Sequence, residues 1–104
     1  MIYSLRIRIE AEQDLSEAYH YYQECRAGLG DEFLLCIEAT LATITRQPSL
    51  YVSVHRNVHR GNVYRALIHR FPFGVFYFVE DDHIIVVAVM HMRRSPQFWR
   101  ERVN

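Results

Sequence analysis

The first third of the chain changes from strand-like to helix-like spacing of its apolar residues. Over residues 2–9 apolar and polar residues alternate, which predicts a strand with one buried face. Over residues 11–22 the apolar residues recur three and four positions apart, the spacing of an amphipathic helix. Two glycines follow, and they suit the left-handed turn that ends a helix. The pattern therefore predicts a strand, a helix and a tight turn.

A second amphipathic helix is predicted directly after the glycine turn. Asp31 is a candidate N-cap, and the apolar residues from Phe33 to Ile44 keep the helical spacing. Gln47-Pro48 supplies the stop signal. Two consecutive amphipathic helices joined by a short turn are expected to form a helical hairpin.

The remainder of the chain is predicted to be β structure. Strands are expected at residues 52–58, 63–71, 74–80 and 83–90, with Asp81-Asp82 in a tight turn between the last two. The expected fold class is α+β: an N-terminal strand, an α-helical hairpin and then a mostly antiparallel β-sheet, in one domain over residues 1–104.

The last two predicted strands are apolar at odd and even positions alike, which is typical of a sheet covered on both faces. Two short helices can cover only one face. The other needs either the C-terminal segment or a second chain. Ser95 and Pro96 predict a final helical turn carrying Phe98 and Trp99. Because a large exposed apolar patch usually marks a binding surface, we expect another polypeptide to complete this face.

Charge is distributed unevenly along a chain whose formal net charge is zero. Residues 1–45 hold eight carboxylates against three arginines, whereas residues 46–104 hold nine arginines against four carboxylates. The second half suits nucleic acid or an acidic partner segment. All twelve basic residues are arginine, which binds planar anions but is a poor proton shuttle. Acid–base chemistry would have to come from histidine, tyrosine or carboxylates.

Several classes of protein are not favoured. The apolar runs are far shorter than the roughly 20 residues that cross a bilayer, and the start of the chain does not read as a signal peptide. A cytoplasmic protein without a membrane partner is expected. Cys25 and Cys36 are predicted to be reduced packing residues, and His55 and His59 lie in strand and turn context. We therefore expect no metal ion and no cofactor.

Arg65 is a candidate binding residue because it stands in the middle of a strongly apolar strand. A buried arginine needs a partner. It is expected either to pair with a carboxylate or to point toward a ligand-binding face. The candidate carboxylates are Asp14, Glu17 and Glu80.

His91, Arg93 and Arg94 follow the final strand, where irregular backbone can present side chains. The histidine could move a proton near neutral pH, and the arginines could hold a phosphate. The competing interpretation is that all three are ordinary solvated residues at a strand end.

Local motifs in this order resemble the RelE/ParE toxin superfamily. They span almost the whole chain and are Ala11-Glu12-x-Asp14-Leu15 with Tyr22, Phe33 with Leu41 and Pro48, Val63-x-Arg65, Phe71-Pro72-Phe73 with Tyr77, and His91-x-Arg93-Arg94-x-Pro96-x-x-Trp99. The resemblance implies a toxin neutralised by a cognate antitoxin whose C-terminal segment wraps around it. Such pairs commonly repress their own operon, so operator DNA would be bound only through the complex.

The resemblance leaves the toxin's target open. Members similar to RelE cut mRNA on the ribosome, and Arg65 matches the strand arginine with which they hold phosphate. This chain, however, has no lysine and no tyrosine after Tyr77, which leaves His91 as the only obvious proton carrier.

The C-terminal ending looks more like that of the ParE branch, whose members poison DNA gyrase. We therefore expect a gyrase inhibitor that binds its target through Arg65, Arg93, Arg94 and Trp99. The alternatives are a ribosome-dependent endoribonuclease in which His91 and Arg65 are catalytic, and an inactive remnant that only binds an antitoxin.

Overall fold

The structure, a computed structural model, describes residues 2–104 and consists of one five-stranded sheet with helices on both faces. Its elements in chain order are β1 (Ser4–Ile7), α1 (Ile9–Cys25), α2 (Leu29–Arg46), β2 (Val52–Asn57), β3 (Gly61–Leu67), β4 (Phe73–Glu80), β5 (His83–His91) and α3 (Gln97–Val103). This order confirms the predicted α+β fold of a strand, a helical hairpin and a mostly antiparallel sheet. Of the helices in residues 2–104, none is long and apolar enough to cross a membrane.

The strands lie in the order β1-β5-β4-β3-β2. The pairs among β2, β3, β4 and β5 are antiparallel, and β1 runs parallel to β5, with Ser4 opposite His83 and Ile7 opposite Val86. The hairpin α1–α2 carries the chain from β1 at one edge of the sheet to β2 at the other. The first and the last strand in chain order are therefore neighbours in the sheet.

The helical hairpin packs on one face of the sheet and builds the larger core. Phe33, Ile37 and Ile44 of α2 are fully or almost fully buried against sheet residues such as Tyr77. Edge-to-face and tilted aromatic contacts surround Phe33, with ring centroids 5.1 to 5.3 Å away. The Tyr77 hydroxyl donates a 2.5 Å hydrogen bond to the Pro48 carbonyl oxygen, and burial raises the pKa of this phenol.

Several predicted boundaries were wrong, including that of the first strand, which ends at Ile7 instead of residue 9 because α1 begins at Ile9. Two of the differences have local reasons. Helix α2 begins at Leu29, because Gly28 takes a left-handed conformation with φ of 90° and serves as the N-cap, so the predicted cap Asp31 lies inside the first turn. The negative charge of Asp31 still stabilises the N-terminal end of α2 through the helix dipole. Strand β3 ends at Leu67 instead of residue 71, since the chain bends through Arg70, whose φ is 72°.

The second face of the sheet is covered by the chain's own C-terminal helix. Helix α3 is longer than the single predicted turn and packs Trp99 and Val103 against this face. The apolar side chains beneath it, Phe76, Phe78, Val87 and Met90, are at most 4% exposed. The expectation that another polypeptide must complete this face was therefore wrong, and the C-terminal segment does so instead.

Strand β5 contains a bulge at the point where α3 crosses it. Phe76 pairs with Ala88 while Tyr77 pairs with Val86, which leaves Val87 as an extra residue. As a result Val87 and Ala88 are both buried on the α3 side of the sheet. The carbonyl oxygen of Val87 leaves the regular ladder and is free to accept a side-chain hydrogen bond.

Candidate functional site

A cavity of about 350 Å³ lies between α3 and the ends of β3 and β5. It is called the arginine pocket here. Its lining residues are Val54, Arg65, Phe76, His91, Met92, Arg93, Arg94, Ser95, Pro96, Trp99 and Arg100. All five residues predicted to act at a site, namely Arg65, His91, Arg93, Arg94 and Trp99, are therefore brought together.

Arg65 enters the pocket from the middle of the sheet, where it stands in register between Val52 on β2 and Phe76 on β4. Its Nε is buried and, within residues 2–104, has no hydrogen-bond partner. Leaving such a donor unpaired is costly, which is typical of a group that binds a ligand.

The predicted salt bridge of Arg65 is not formed. Asp14 pairs with Arg102, and Glu80 pairs with Arg60. Among the ion pairs of residues 2–104, none includes Arg65 or Glu17. The structure thus favours the other interpretation, in which Arg65 faces a ligand.

Gly74 gives Arg65 the space to lie across the sheet. A Cβ at this position would lie 3.1 Å from Arg65 Cγ and 3.0 Å from Met92 Sδ, both tighter than ordinary contact. The missing side chain allows the stem of Arg65 to cross β4 toward the end of β5. Sequence reasoning missed Gly74, although a glycine inside an apolar strand is a known signal of close approach.

His91 lies at the rim of the pocket and is partly buried. Its Nδ1 accepts a 3.1 Å hydrogen bond from the backbone N–H of Arg93, and its ring meets Phe73 edge to face. In the neutral ring this contact assigns the proton to Nε2. In this form the Nε2–H of His91 can donate a hydrogen bond, and that nitrogen is not free to accept a proton.

Three further arginines surround the pocket mouth with positive charge. Arg93, Arg94 and Arg100 are exposed, and none of them forms an ion pair within residues 2–104. The Arg94 guanidinium lies 4.2 Å from the Phe98 ring centroid, so it is held over an aromatic face. With Arg65 these side chains form a site suited to a planar or tetrahedral anion.

Trp99 is a wall of the pocket and not a projecting contact. Its ring is only 5% exposed and stacks on Phe76 at 4.8 Å with an interplanar angle of 17°. His55 meets the same ring edge to face at 6.0 Å. Its part in target binding remains a prediction, and its visible role is to seat α3 on the sheet.

Helix α3 is tied to the rest of the fold by an ion pair that sequence reasoning did not find. Arg102 reaches both carboxylate oxygens of Asp14 on α1, at 2.6 and 3.2 Å, and also donates to the free carbonyl of Val87 at 3.2 Å. Asp14 accepts the backbone N–H of Val89 at 3.0 Å. The pair thus caps the part of β5 that extends beyond β1 and ties the C-terminal end of α3 to α1 and β5.

The structure offers nothing that resembles a metal centre in the part of the chain it describes, residues 2–104. His55 lies in β2 and His59 in the following turn, and these residues contain no group of three or more possible metal-binding side chains. Cys25 and Cys36 are both free thiols.

The β-α-α-β-β-β-β order described above agrees with the fold that the resemblance to the RelE/ParE toxin superfamily implied. A family model described as the ParE toxin of the type II toxin–antitoxin system, parDE, matches residues 5–96. The chain therefore belongs to the ParE toxin family. Curated proteins give no significant sequence match.

Three solved structures share the fold at low sequence identity. The chromosomal ParDE system of P. aeruginosa matches with a TM-score of 0.73 and 16% identity, over 86% of this chain and 96% of that one. The RelBE2 toxin–antitoxin complex of Mycobacterium tuberculosis matches with a TM-score of 0.58 and 16% identity, over 88% and 99%. A mutant of E. coli RelE in the free state matches with a TM-score of 0.58 and 15% identity, over 99% and 96%.

Proposed function

We propose that this member of the ParE toxin family is an active cytoplasmic toxin that inhibits DNA gyrase by binding it through the arginine pocket. Arg65, Arg93 and Arg94 would contact an anionic group of the target, and Trp99 would hold the pocket wall. Membership of the ParE family supports gyrase as the target, in keeping with the His91-x-Arg93-Arg94 ending.

One observation favours binding over catalysis as the function of the arginine pocket. The arginine pocket brings together four arginines, which are poor proton shuttles, and among its lining residues His91 is the one side chain of a type commonly used in acid–base catalysis. The Nδ1 of that histidine is occupied by a backbone donor. Breaking a phosphodiester needs both an acid and a base, whereas holding a partner needs only charge and shape.

An antitoxin is the second proposed partner. The ParDE and RelBE2 structures are toxin–antitoxin systems by their descriptions. An antitoxin whose C-terminal segment carries carboxylates would neutralise the exposed Arg93, Arg94 and Arg100 and close the pocket. Neutralisation would then be direct competition with the toxin's target.

A ribosome-dependent endoribonuclease is the alternative function, and a neighbouring cavity favours it. This cavity, of about 200 Å³, shares His91 and Arg94 with the arginine pocket and adds Glu17 and Tyr21 from α1. In that mechanism Arg65 and Arg93 or Arg94 would hold the scissile phosphate and His91 would transfer a proton. Glu17 or Tyr21 could supply the second proton carrier.

Expression of the chain in bacteria without antitoxin distinguishes these functions. Wild type is expected to arrest growth and to trap covalent gyrase–DNA complexes, and the purified chain should inhibit gyrase supercoiling. Codon-linked cuts in mRNA, mapped by primer extension, with gyrase unaffected would select the nuclease instead. Normal growth with antitoxin copurification would identify an inactive remnant.

The variant Arg65→Gln tests the pocket itself. Loss of a hydrogen bond to a charged group, about 1.5 kcal/mol or more, corresponds to at least about a 10-fold loss of inhibitory potency. Arg65→Lys restores charge without the planar fork and should recover only part of it. Arg46→Gln, on α2, is the matched control. Full potency of Arg65→Gln would remove the arginine pocket from the mechanism.

A further inference from the structure

A second arginine-rich groove lies at the other end of the sheet face that carries α3. This cavity, of about 310 Å³, is lined by Arg6 of β1, Arg8 between β1 and α1, Arg60 before β3, and Phe78 and Glu80 of β4. Arg8 is the N-cap residue of α1. The cavity is called the Phe78 groove here. It lies outside the arginine pocket and shares no lining residue with it.

Two guanidinium groups are held over a single aromatic ring in this groove. The Cζ atoms of Arg8 and Arg60 lie 5.4 and 5.3 Å from the centroid of Phe78, whose side chain is only 1% exposed. The ring removes water from one side of each cation. An anion on the open side would therefore meet two partly desolvated charges that are already positioned.

The groove retains positive charge after its internal contacts are counted. Arg60 donates to Glu80 at 2.8 Å, and Arg8 donates to the carbonyl oxygen of Arg102. Arg6 is exposed and forms no ion pair among residues 2–104. Three arginines thus face one carboxylate, which favours a bound anion.

Both arginine sites open on one face of the sheet, at opposite ends of it. Phe76 borders the arginine pocket and Phe78 borders the groove, and both rings lie on the α3 side of β4. The lining residues are two positions, or roughly 7 Å, apart along β4 and six positions, or roughly 20 Å, apart along β5, from Ile85 to His91. The larger distance, between the far ends of the two sites, equals about six steps of 3.4 Å along one strand of duplex DNA.

The surface between the two sites favours nucleic acid over protein as the occupant. The apolar side chains of the sheet there are covered by α3, and Phe98, 47% exposed, is the large apolar side chain that α3 itself exposes, so the face offers mainly charge. Contacts to a phosphate backbone are polar and strongly positive, which matches a surface with arginines at both ends. The opposite, helical face carries the carboxylates of α1 and α2, which orients the chain toward a polyanion.

We propose that the Phe78 groove is a phosphate-binding site and that it engages the backbone of a nucleic acid whose other phosphates reach the arginine pocket. The bound chemistry is a phosphodiester, which single-stranded and duplex nucleic acids share. The chain then contacts nucleic acid directly, a property separate from gyrase inhibition.

The salt dependence of binding tests the groove. The probes are duplex DNA of about 20 base pairs and one of its strands alone, followed by fluorescence anisotropy between about 50 and about 200 mM salt. In the double variant Arg6→Gln, Arg60→Gln, the slope of log K against log salt should decrease by about 1.8 for the duplex and about 1.4 for the single strand. The probe with the larger wild-type affinity identifies the form bound.

A matched control is the double variant Arg26→Gln, Arg46→Gln on the helical face. It too removes one ion-paired arginine, Arg26, and one arginine without a carboxylate partner, Arg46, and it should leave both slopes unchanged. Equal denaturation midpoints for both variants and wild type show that folding is unaffected.

Three results would overturn the proposal: no binding of either probe by wild type, equal slopes for wild type and the groove variant, or equal loss in the helical-face control. Arginine-dependent binding of a polyglutamate peptide without nucleic-acid binding would assign the groove to an acidic protein. Since the assay uses the purified chain without gyrase, its failure leaves gyrase inhibition untouched.

Discussion

The helical hairpin and α3 cover opposite faces of one sheet by unequal means. On the hairpin side, two helices of 17 and 18 residues bury Phe33, Ile37 and Ile44 in a continuous apolar core. On the other side, a helix of seven residues is seated by Trp99 and tied down through Arg102. The first face supplies stability, while the second combines modest packing with exposed arginines.

This comparison separates two kinds of residue in a small domain. Positions on the hairpin side are replaceable only by side chains of similar volume, because cores are close-packed. Positions around α3 combine a smaller apolar cluster with the Arg102–Asp14 ion pair, and the exposed arginines there leave charge free for a partner. Substitutions on the hairpin side should therefore unfold the domain. Substitutions around α3 should instead weaken binding or local order.

The largest effect is expected for Phe33→Ala. The side chain is fully buried between α1, α2 and the loop after β3, so its removal leaves a cavity and should lower the free energy of unfolding by about 3 to 5 kcal/mol. Chemical denaturation followed by circular dichroism measures it. Leu35→Ala, two residues on and 64% exposed, should cost about 0.5 kcal/mol or less. Equal losses would contradict the assignment of the core.

An intermediate effect is expected for Arg102→Met. It leaves the carboxylate of Asp14, whose side chain is 8% exposed, without its ion partner. Because Arg102 itself is 21% exposed, the expected cost is about 2 to 3 kcal/mol, below the value for a fully buried pair.

In this variant the unfolding of α3 should also become distinguishable from the unfolding of the rest of the domain. Trp99 is the only tryptophan of the chain, so its fluorescence reports on α3. In Arg102→Met it should become solvent-exposed at a lower denaturant concentration than the loss of circular dichroism. Arg100→Met, on the exposed side of the same helix, is the control. Coincident transitions at wild-type stability would show that the ion pair does not hold α3.

The smallest effect is a pH dependence on the hairpin side. Hydrogen bonds from Arg70 and Arg26 hold the pKa of Glu32 below its ordinary value of 4.5. Glu32 therefore stabilises the fold above that pH, and the contribution is lost as pH falls through the lowered pKa. Wild type should melt slightly above Glu32→Gln at about pH 7 and equally at about pH 3. Glu38→Gln, without an ion partner in residues 2–104, should show no such difference.

Local periodicity was enough to predict the elements and the layer order. Alternation on β1 and helical spacing on α1 and α2 decide which residues face the core, and neither depends on distant contacts. The unbroken apolar runs of β4 and β5 also showed that both faces of the sheet are covered. They could not show what covers the second face, because that depends on how far the helix after Pro96 continues and where it docks.

The sequence was enough to predict the residues of the candidate site, but it did not reveal the ion pair that anchors α3 beside it. Arg65 was identified because a charge in an apolar strand demands an explanation. Arg102 was missed because its partner Asp14 is 88 residues away. A signal existed, since Asp14 lies three residues after Ala11 and four before Ala18, on the buried stripe of α1. A carboxylate on such a stripe requires a cation from elsewhere in the chain.

The parallel pairing of β1 with β5 has a consequence for how the toxin is made. The first strand to leave the ribosome can pair only with the last one, and Trp99 and Arg102 are synthesised later still. A partly translated chain lacks both the closing strand and the helix over its binding face. The hairpins of β2 to β5 can form from local contacts, but the β1–β5 pair closes only at the end, and such a distant contact slows folding. A nascent toxin would thus be harmless until its synthesis is nearly finished, and a cotranslated antitoxin would have that interval to reach it.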